Sequence, residues 1–440
     1  MKRVVLALTA VSLLAGCNVL NRGDRGPRTP TVGERIAILS GEQQVEVDPA
    51  LAGVPVVLPA PYVNADWSQP GGNAAKSMGH VALGDSVAQA WSVSIGAGSG
   101  PRARLAAEPV VADGRIYTID TNAVVRAISP DNGGTIWQTQ VRGEGAPAAT
   151  LFGGGVSHDE DRVYATNGAG YAAALDARTG AIIWMVRPGG PLRGAPTIAN
   201  DNVYVLSQDN QLFALDPRNG ETRWTGSGSI ELSGVFGAAT PAAAQGTVVA
   251  GYSSGELTAY RYENGRVVWQ DALTRTTVST AVAALADIDA DPVIDQGRVY
   301  AIGQGGRMIA TELVTGQRIW ELNVAGISTP AVAGDWVFVV TDQAQLLAIA
   351  RTTGRIRWMT QLPRYRNAER RTGPIYWRGP ILAGNRLILV SSLGQMAHVL
   401  PQDGTIHAQV DIGAPVSLQP IVANNTLYIL DDNGRLSAWR

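Results

Sequence analysis

One spacing of three residues recurs through most of the chain: an alanine, a glycine six positions later and a tryptophan four positions after that. Six copies match it fully: Ala127-Gly133-Trp137, Ala174-Gly180-Trp184, Ala214-Gly220-Trp224, Ala259-Gly265-Trp269, Ala310-Gly316-Trp320 and Ala348-Gly354-Trp358. A degraded copy follows at Ala397-Gly404-His407, and a lone final element stands early, at Trp91. A period of about 45 residues indicates one structural unit copied along the chain, not several unrelated domains.

Each period contains short apolar and β-branched runs separated by polar turns. In the third period these runs cover 196–199, 203–206, 211–215 and 221–224. Such runs predict four antiparallel strands per period. A sheet of this size cannot bury both of its faces alone, so the sheets must stack on one another, and a closed ring removes most exposed edges. The repeat therefore predicts an all-β protein, a β-propeller.

The number of blades follows from the positions at which first strands are predicted to begin. There are eight, near Pro109, His158, Pro196, Pro241, Pro292, Pro330, Pro380 and Pro420. The last period reaches only three strands before the chain ends at Arg440, whereas the strand near Trp91 has no period of its own. We therefore predict an eight-bladed β-propeller of four-stranded antiparallel blades, closed by the N-terminal strand near Trp91, which completes the C-terminal blade.

The N-terminus has the pattern of a secretory signal peptide. Lys2 and Arg3 precede an apolar run over 4–15 that is too short to cross a bilayer. The stretch 14–17 resembles the lipobox of bacterial lipoproteins, which implies cleavage before Cys17 and a lipid on that residue; an ordinary buried cysteine is the alternative. The predicted organisation is a signal peptide over 1–16, a flexible tether over 17–66 and the propeller over 67–440.

Composition excludes several classes of function. The formal net charge of −2 gives no field that would hold a polyanion, so we expect no nucleic-acid partner. The chain has one cysteine, which leaves no internal disulfide, no cysteine-rich zinc site and no c-type haem attachment. The four histidines show no metal-ligand spacing: they are His80, His158, His398 and His407. We therefore predict no metal and no cofactor.

Two segments, 174–184 and 214–224, resemble the repeat of quinoprotein-like propellers. That superfamily contains pyrroloquinoline-quinone dehydrogenases and also the BamB family, the lipoproteins of the outer-membrane β-barrel assembly machinery. The stretches 151–164 and 285–292, the lipobox and the number of blades are similar to the BamB family in particular, and the match covers 67–440. This resemblance implies a non-catalytic scaffold that is lipid-anchored in the outer membrane and faces the periplasm.

The runner-up interpretation is a pyrroloquinoline-quinone-dependent enzyme. Quinoprotein alcohol dehydrogenases are similar in fold, but they hold the quinone under a disulfide between adjacent cysteines and place a calcium ion against it. The single Cys17 cannot form such a pair. The chain also contains no Gly-x-Ser-x-Gly turn and no phosphate-binding loop. We therefore expect that the protein is not an enzyme.

An acidic cluster near the start of the fifth blade is the first candidate site. Asp287, Asp289 and Asp291 alternate along the chain, but a calcium loop would need Gly where Pro292 stands. A solvated acidic turn is one interpretation. The resemblance implies another, in which Asp287 and Asp289 dock onto a POTRA domain of BamA, the barrel-inserting subunit. The loop of the preceding blade would then add Leu232 and Ile230, whereas Ser233 stands where the family has an arginine.

A second candidate surface is an insertion over 363–380 between the sixth and seventh blades. It contains five arginines: Arg364, Arg366, Arg370, Arg371 and Arg378. A solvated, flexible loop is one interpretation. The other is a basic contact for anionic lipid headgroups or for another assembly subunit. Exposed strand edges of the blades are a further candidate surface, one that would pair with nascent outer-membrane proteins.

Overall fold

A computed structural model describes residues 45–192, 194–230, 239–274 and 286–440. Within these residues, the chain forms 34 strands and two short 3-10 turns, Pro49–Leu51 and Ala148–Thr150. The strands build eight four-stranded antiparallel sheets and one two-stranded hairpin. The predicted all-β, eight-bladed propeller is confirmed. Cys17, Leu232 and Ser233 lie outside the described residues.

The first four blades take their strands from consecutive stretches of chain. Blade 1 contains β2 (Val110–Ala112), β3 (Arg115–Ile119), β4 (Val124–Ile128) and β5 (Thr135–Gln140). Blade 2 contains β6 (Val156–Asp159), β7 (Arg162–Thr166), β8 (Ala172–Asp176) and β9 (Ile182–Val186). Blade 3 contains β10 (Thr197–Ala199), β11 (Asn202–Leu206), β12 (Gln211–Leu215) and β13 (Thr222–Ser227). Blade 4 contains β14 (Ala242–Ala244), β15 (Thr247–Gly251), β16 (Glu256–Arg261) and β17 (Val267–Ala272).

The next three blades are built in the same way, and a hairpin stands between two of them. Blade 5 contains β18 (Val293–Asp295), β19 (Arg298–Ile302), β20 (Met308–Glu312) and β21 (Arg318–Leu322). Blade 6 contains β22 (Ala331–Ala333), β23 (Trp336–Val340), β24 (Gln345–Ala350) and β25 (Ile356–Gln361). The hairpin contains β26 (Tyr365–Asn367) and β27 (Thr372–Pro374). Blade 7 contains β28 (Trp377–Ala383), β29 (Arg386–Ser391), β30 (Gln395–Val399) and β31 (Ile406–Asp411).

Blade 8 joins the two ends of the propeller, as predicted. The end of the chain supplies β32 (Ile421–Ala423), β33 (Thr426–Leu430) and β34 (Arg435–Trp439), and β1 (Gln89–Ser94) pairs with β34 as the outer strand. Trp91 lies opposite Ala438, which repeats the Ala–Trp pairing of the other blades, such as Ala127 with Trp137. The N-terminal strand therefore closes the ring in the same register that the outer strand has in blades built from one stretch of chain.

The repeated Gly and Trp meet across the seams between blades. Gly180 of blade 2, at φ +74°, lies so close to the Trp137 ring of blade 1 that a Cβ there would come within 2.5 Å of the ring. The same relation holds at seven seams, from Gly133 on Trp91 to Gly404 on Trp358. Glycine is needed twice over, because the backbone is left-handed and because the ring leaves no room for a side chain.

Each of these tryptophans also donates its indole N–H across the seam. Trp137 Nε1 donates to the Ala177 carbonyl at 3.0 Å, and the last example in the chain is Trp358 Nε1 to the Pro401 carbonyl at 2.9 Å. A buried indole therefore keeps its hydrogen bond while its ring fills the space between sheets.

The structure corrects the predicted register of the degraded copy of the repeat, in blade 7. The sequence aligned Ala397 and His407 with the alanines and tryptophans of the other copies, but the strand register puts His398 and Ala408 there. These two residues pair with each other at the bulge, as Ala127 and Trp137 do in blade 1, and Gly404 follows His398 by six positions. At the opposite edge of blade 7, Val81 bridges to Ala383 of β28 and packs in the apolar cluster shared by blades 7 and 8.

Residues 64–83, which we call the strap, cross the inner face of the ring before β1 begins. Their backbone or side-chain oxygens accept hydrogen bonds from the inner strands or turns of blades 8, 1, 2, 3, 4 and 5, and Val81 reaches blade 7. The donors are the backbone N–H groups of Asn424, Val111, His158, Ile198, Ala243 and Ile294. One segment of about twenty residues thereby satisfies polar groups in six blades that would otherwise face the channel.

We predict that ring closure and the strap contribute separately to stability. A chain beginning at Val45 should melt like the full-length protein, and one beginning at Gly84 should melt lower because it lacks the strap. A chain beginning at Gly96 also lacks β1 and should melt at least about 5 °C below the Gly84 chain, because two sheet edges and the Trp91 seam become exposed. Thermal melting followed by circular dichroism measures this. Equal melting temperatures for the Gly84 and Gly96 chains would contradict the role of β1.

Candidate funnel site

A cavity of about 370 Å³ opens at the centre of the ring, and we call it the funnel. The first strands of neighbouring blades contact one another and so line the channel. The funnel is bounded mainly by the segments that lead into the first strands of blades 1, 4, 5, 6, 7 and 8. Charged side chains are prominent in its wall: Arg104, Glu108, Asp289, Asp291 and Arg378.

The strap supplies the floor of the funnel and a buried cation. Pro70 lines the cavity, and Lys76 is 3% exposed with its Nζ donating to Thr197 Oγ1 at 3.1 Å. Burial lowers the pKa of Lys76 to about 8, against the opposing attraction of the Asp291 and Glu108 carboxylates. Lys76 therefore carries its charge at neutral pH between acidic groups of blades 1 and 5.

Glu108 is the titratable group of this floor. Burial, together with the neighbouring Asp291 carboxylate, raises the pKa of Glu108 to about 7, against a hydrogen bond from the Gly71 N–H to Oε1 at 3.1 Å and the attraction of the Lys76 charge. The pKa of Asp291 is also raised by burial. The floor of the funnel thus contains carboxylates whose ionised forms are destabilised by burial.

The acidic turn before blade 5 is rigid and divides its carboxylates between two environments. Asp287 is only 3% exposed, and its carbonyl accepts from the Gln304 N–H at 2.8 Å. Asp289 lines the funnel, and its Oδ2 accepts from Gln304 Nε2 at 2.5 Å. Ile288 between them is buried in the core of blades 4 and 5. Of the two predicted acidic residues, Asp289 alone reaches the funnel.

The connection into blade 4 contacts this turn at its described C-terminal end. Asp291 Oδ1 accepts from the Thr240 N–H at 2.6 Å, which joins the connection entering blade 5 to the one entering blade 4. At the other end of that connection, Ile230 is 75% exposed. The preceding Ser229 is fixed, because its N–H and hydroxyl both donate to Glu256 at 2.7 Å. An exposed apolar side chain is thus held at the end of an ordered strand.

Arg378 differs from the other arginines of the 363–380 insertion. It lies in β28, lines the funnel and donates from Nη1 to the Ile327 carbonyl at 2.9 Å. Burial lowers its pKa, against attraction from Asp289, Asp432 and Glu108. Sequence reasoning placed it with the surface arginines, although it follows the buried Trp377 and precedes Pro380 at the start of an inner strand.

The other four arginines lie on the hairpin of β26 and β27, away from the funnel wall. Arg366, Arg370 and Arg371 are exposed and Arg364 is partly buried. The structure therefore does not bring these residues together with Asp289. Sequence reasoning missed Arg104, Glu108 and Lys76; the one available signal was that Lys76 and Lys2 are the only lysines in the chain.

The stability of the funnel floor should depend on pH through Glu108. Between the ordinary value of 4.5 and the folded pKa of about 7, the folded chain binds this proton more tightly than the unfolded chain does. The free energy of unfolding therefore falls as the pH rises through this window. Glu108→Gln should reduce that fall by about 1–3 kcal/mol in urea titrations compared across the window, whereas the exposed Glu144→Gln should leave it unchanged. An unchanged slope in Glu108→Gln would show that Glu108 is solvated.

Comparison with known proteins bears on what this site belongs to. A family model described as "Outer membrane protein assembly factor BamB" matches residues 121–360, more than half of the chain. Among curated proteins, BamB of Yersinia pestis is 25% identical over 79% of this chain and 88% of its own length. BamB of Escherichia coli is 26% identical over 78% of this chain and 86% of its own length.

Solved structures show the same architecture. BamB from Moraxella catarrhalis is similar with a TM-score of 0.68, at 21% identity, over 81% of this chain and all of that chain. A quinohemoprotein alcohol dehydrogenase from Comamonas testosteroni has a TM-score of 0.64 at 14% identity, over 85% of this chain and 80% of the enzyme. These likenesses show the propeller fold. The family model carries the assignment: the chain belongs to the BamB family of outer membrane protein assembly factors.

Proposed function

We propose that this chain is a non-catalytic scaffold subunit of the outer-membrane β-barrel assembly machinery, and that it binds POTRA domains of BamA at the mouth of the funnel. The observation that carries the proposal is the position of Asp289 on the funnel wall, in the turn whose Asp291 is hydrogen-bonded to Thr240 at the end of the connection into blade 4. Membership of the BamB family supplies the functional context.

The two predicted contacts have different physical roles in this proposal. Asp289, which lines the funnel, would meet a basic group of the partner. Ile230 and Leu232 supply an apolar contact, and Ile230 exposes three quarters of its surface. Asp287 is buried, so it positions the turn and does not touch the partner. A charged contact beside an apolar one gives both orientation and affinity.

Attachment to the membrane is the second part of the proposal. A lipid on Cys17 would hold the chain at the periplasmic face of the outer membrane, with several acyl chains on one residue providing stable anchoring. No helix among the described residues has the length and apolar character needed to span a bilayer. The lipid on Cys17 is therefore the attachment that we propose.

Nascent outer-membrane proteins are proposed as further partners. The outer strands of three blades expose large apolar residues that would normally be covered: Ile136 in β5, Ile182 and Ile183 in β9, and Val267 in β17. These strands also have one free edge each, because they end their sheets. An extended apolar segment could pair with such an edge by β-augmentation.

Catalysis is the less supported alternative. The quinohemoprotein alcohol dehydrogenase with this fold is only 14% identical to the chain, and Cys17 has no second cysteine with which to pair. In addition, the strap closes the floor of the funnel with the chain's own residues. Quinone-dependent dye reduction by the purified protein would support the enzyme.

Binding to the POTRA region should depend on the predicted contact residues and should not depend on other exposed carboxylates. Asp289→Ala and, separately, Leu232→Ala should each weaken binding to the purified POTRA region of the cognate BamA at least about tenfold. Asp131→Ala, an exposed acid on blade 1, and Ser233→Ala should bind like wild type. Calorimetry measures the affinity, and thermal melting checks that each variant is folded.

Asp287→Ala separates the two roles of the acidic pair. Because Asp287 is buried, its removal should lower the melting temperature, whereas Asp289→Ala should leave it nearly unchanged. Normal POTRA binding by folded Asp289→Ala and Leu232→Ala proteins would overturn the docking proposal.

A further inference from the structure

The hairpin between blades 6 and 7 is an ordered arm with a basic surface. We call residues 364–374 the Arg hairpin. At its base, Leu362, Ile375 and Trp377 are each no more than 5% exposed and pack in the core of blades 6 and 7. Trp377 Nε1 donates to the Pro363 carbonyl at 2.9 Å, and the Ile375 N–H donates to the Arg364 carbonyl at 2.9 Å. A solvated, flexible loop has no such base.

The outer part of the hairpin is exposed and carries unbalanced positive charge. Residues 366–374 are all exposed, and Glu369 is the one acidic residue in the Arg hairpin. None of its four arginines has a carboxylate within 4.0 Å in the part of the chain that the structure describes. Arg364 lies 5.2 Å from the centre of the Tyr365 ring and faces Asp342 at longer range.

Arginines elsewhere in the propeller are used differently. Arg126, Arg223 and Arg351, for example, each pair with an aspartate at 3.1 Å or less. The chain as a whole has a net charge of −2, so a hairpin with four arginines and one glutamate is a local exception. Unpaired guanidinium groups on a projecting hairpin are suited to a surface rich in phosphate, because each one presents a planar set of donors.

The position of the Arg hairpin relates it to the N-terminal side of the chain. Val47 forms a parallel bridge with Ile356 at the start of β25, and the Asp48 N–H donates to the Ile356 carbonyl at 2.8 Å. Arg355 also pairs with Asp48 at 3.1 Å. Val47 and Asp48 therefore join the ring at the start of the outer strand of blade 6.

The same strand runs into the Arg hairpin at its other end. β25 has six residues, which corresponds to about 20 Å, and Arg364 follows it by three positions. Val47 and Asp48 and the Arg hairpin thus lie at opposite ends of one outer strand, on one edge of the propeller.

We infer that the Arg hairpin is a second membrane contact, which binds the phosphate groups of anionic phospholipids and turns the edge of blade 6 toward the bilayer. The inference rests on the lipid anchor of the proposed function, because a lipid on Cys17 would hold the chain at the membrane. Each arginine near an anionic surface strengthens binding about fivefold. Such a contact is weak alone and sets orientation when it acts with a lipid.

Vesicle binding in a background without the lipid tests the contact directly. Purified mature chain carrying Cys17→Ser should cosediment with phosphatidylglycerol vesicles and not with phosphatidylcholine vesicles, and added salt should release it. Replacing Arg364, Arg366, Arg370 and Arg371 by Gln should lower the partition coefficient at least about 50-fold. Glu369→Gln should raise it about fivefold, a gain that unfolding could not produce.

A charge-matched control replaces four exposed arginines on blades 2, 4 and 8 by Gln: Arg178, Arg261, Arg266 and Arg435. This variant should keep most of the vesicle binding. Equal losses in the two quadruple variants would overturn the inference, since only net charge would then matter. Retained vesicle binding by the folded Arg-hairpin variant would also overturn the inference. If that variant then recovered less of the assembly machinery from membranes than the wild type does, the hairpin would bind an acidic protein partner instead.

The test is independent of BamA docking. The Arg-hairpin variant should bind the POTRA region with wild-type affinity, because its arginines lie outside the funnel wall. If the wild-type chain fails to bind the POTRA region, the docking proposal fails and the vesicle result still decides the role of the hairpin.

Discussion

The contact between a tryptophan ring and the glycine of the next blade sets the geometry of the whole ring. It places a large apolar surface between two sheets and leaves the glycine no room for a side chain, so both residues are fixed together. Seven seams use it, and the indole hydrogen bond at each seam fixes the relative height of adjacent blades. A side chain at the glycine position would both strain the backbone and displace the tryptophan side chain.

Because the seam contacts hold the propeller together, the connections between blades can carry the residues that contact partners. The funnel is built mainly from those connections, which lead into the inner strands, and the strap crosses beneath them. Asp289, Ile230 and the Arg hairpin all belong to connections between an outer strand and the next inner strand. The scaffold therefore supports contacts whose chemistry changes without a change in the core.

The sequence was sufficient to predict the number of blades, the strands of each blade and the closure by Trp91, because the seam contact imposes a strict spacing that is visible in one dimension. The predicted register of blade 7 was wrong by one residue, because His398 and Ala408 replace the alanine and the tryptophan of the other blades and only Gly404 marks the copy. The sequence also could not separate Asp287 from Asp289, because their alternation suggests one shared face. In the structure Ile288 between them is buried and only Asp289 lines the cavity.

The buried charges were beyond prediction for a different reason. Lys76, Glu108 and Asp291 come from three distant parts of the chain, and neither Lys76 nor Glu108 lies in a motif. Their meeting depends on the path of the strap through the ring, which follows from hydrogen bonds to six blades and has no periodic signal. Arg378 was grouped with the exposed arginines because it is close to them in sequence, and the sequence does not show that the chain passes from the hairpin into an inner strand before Arg378.

The most direct test of BamA docking is to ask what lies against Ile230 in the cell. A photoreactive amino acid at Ile230, with a second protein carrying it at Ile136 on the outer strand of blade 1, reports the neighbours of each surface. The account predicts an adduct between position 230 and the POTRA region of BamA, and none with BamA from position 136. A BamA adduct from position 136 and none from position 230 would contradict it.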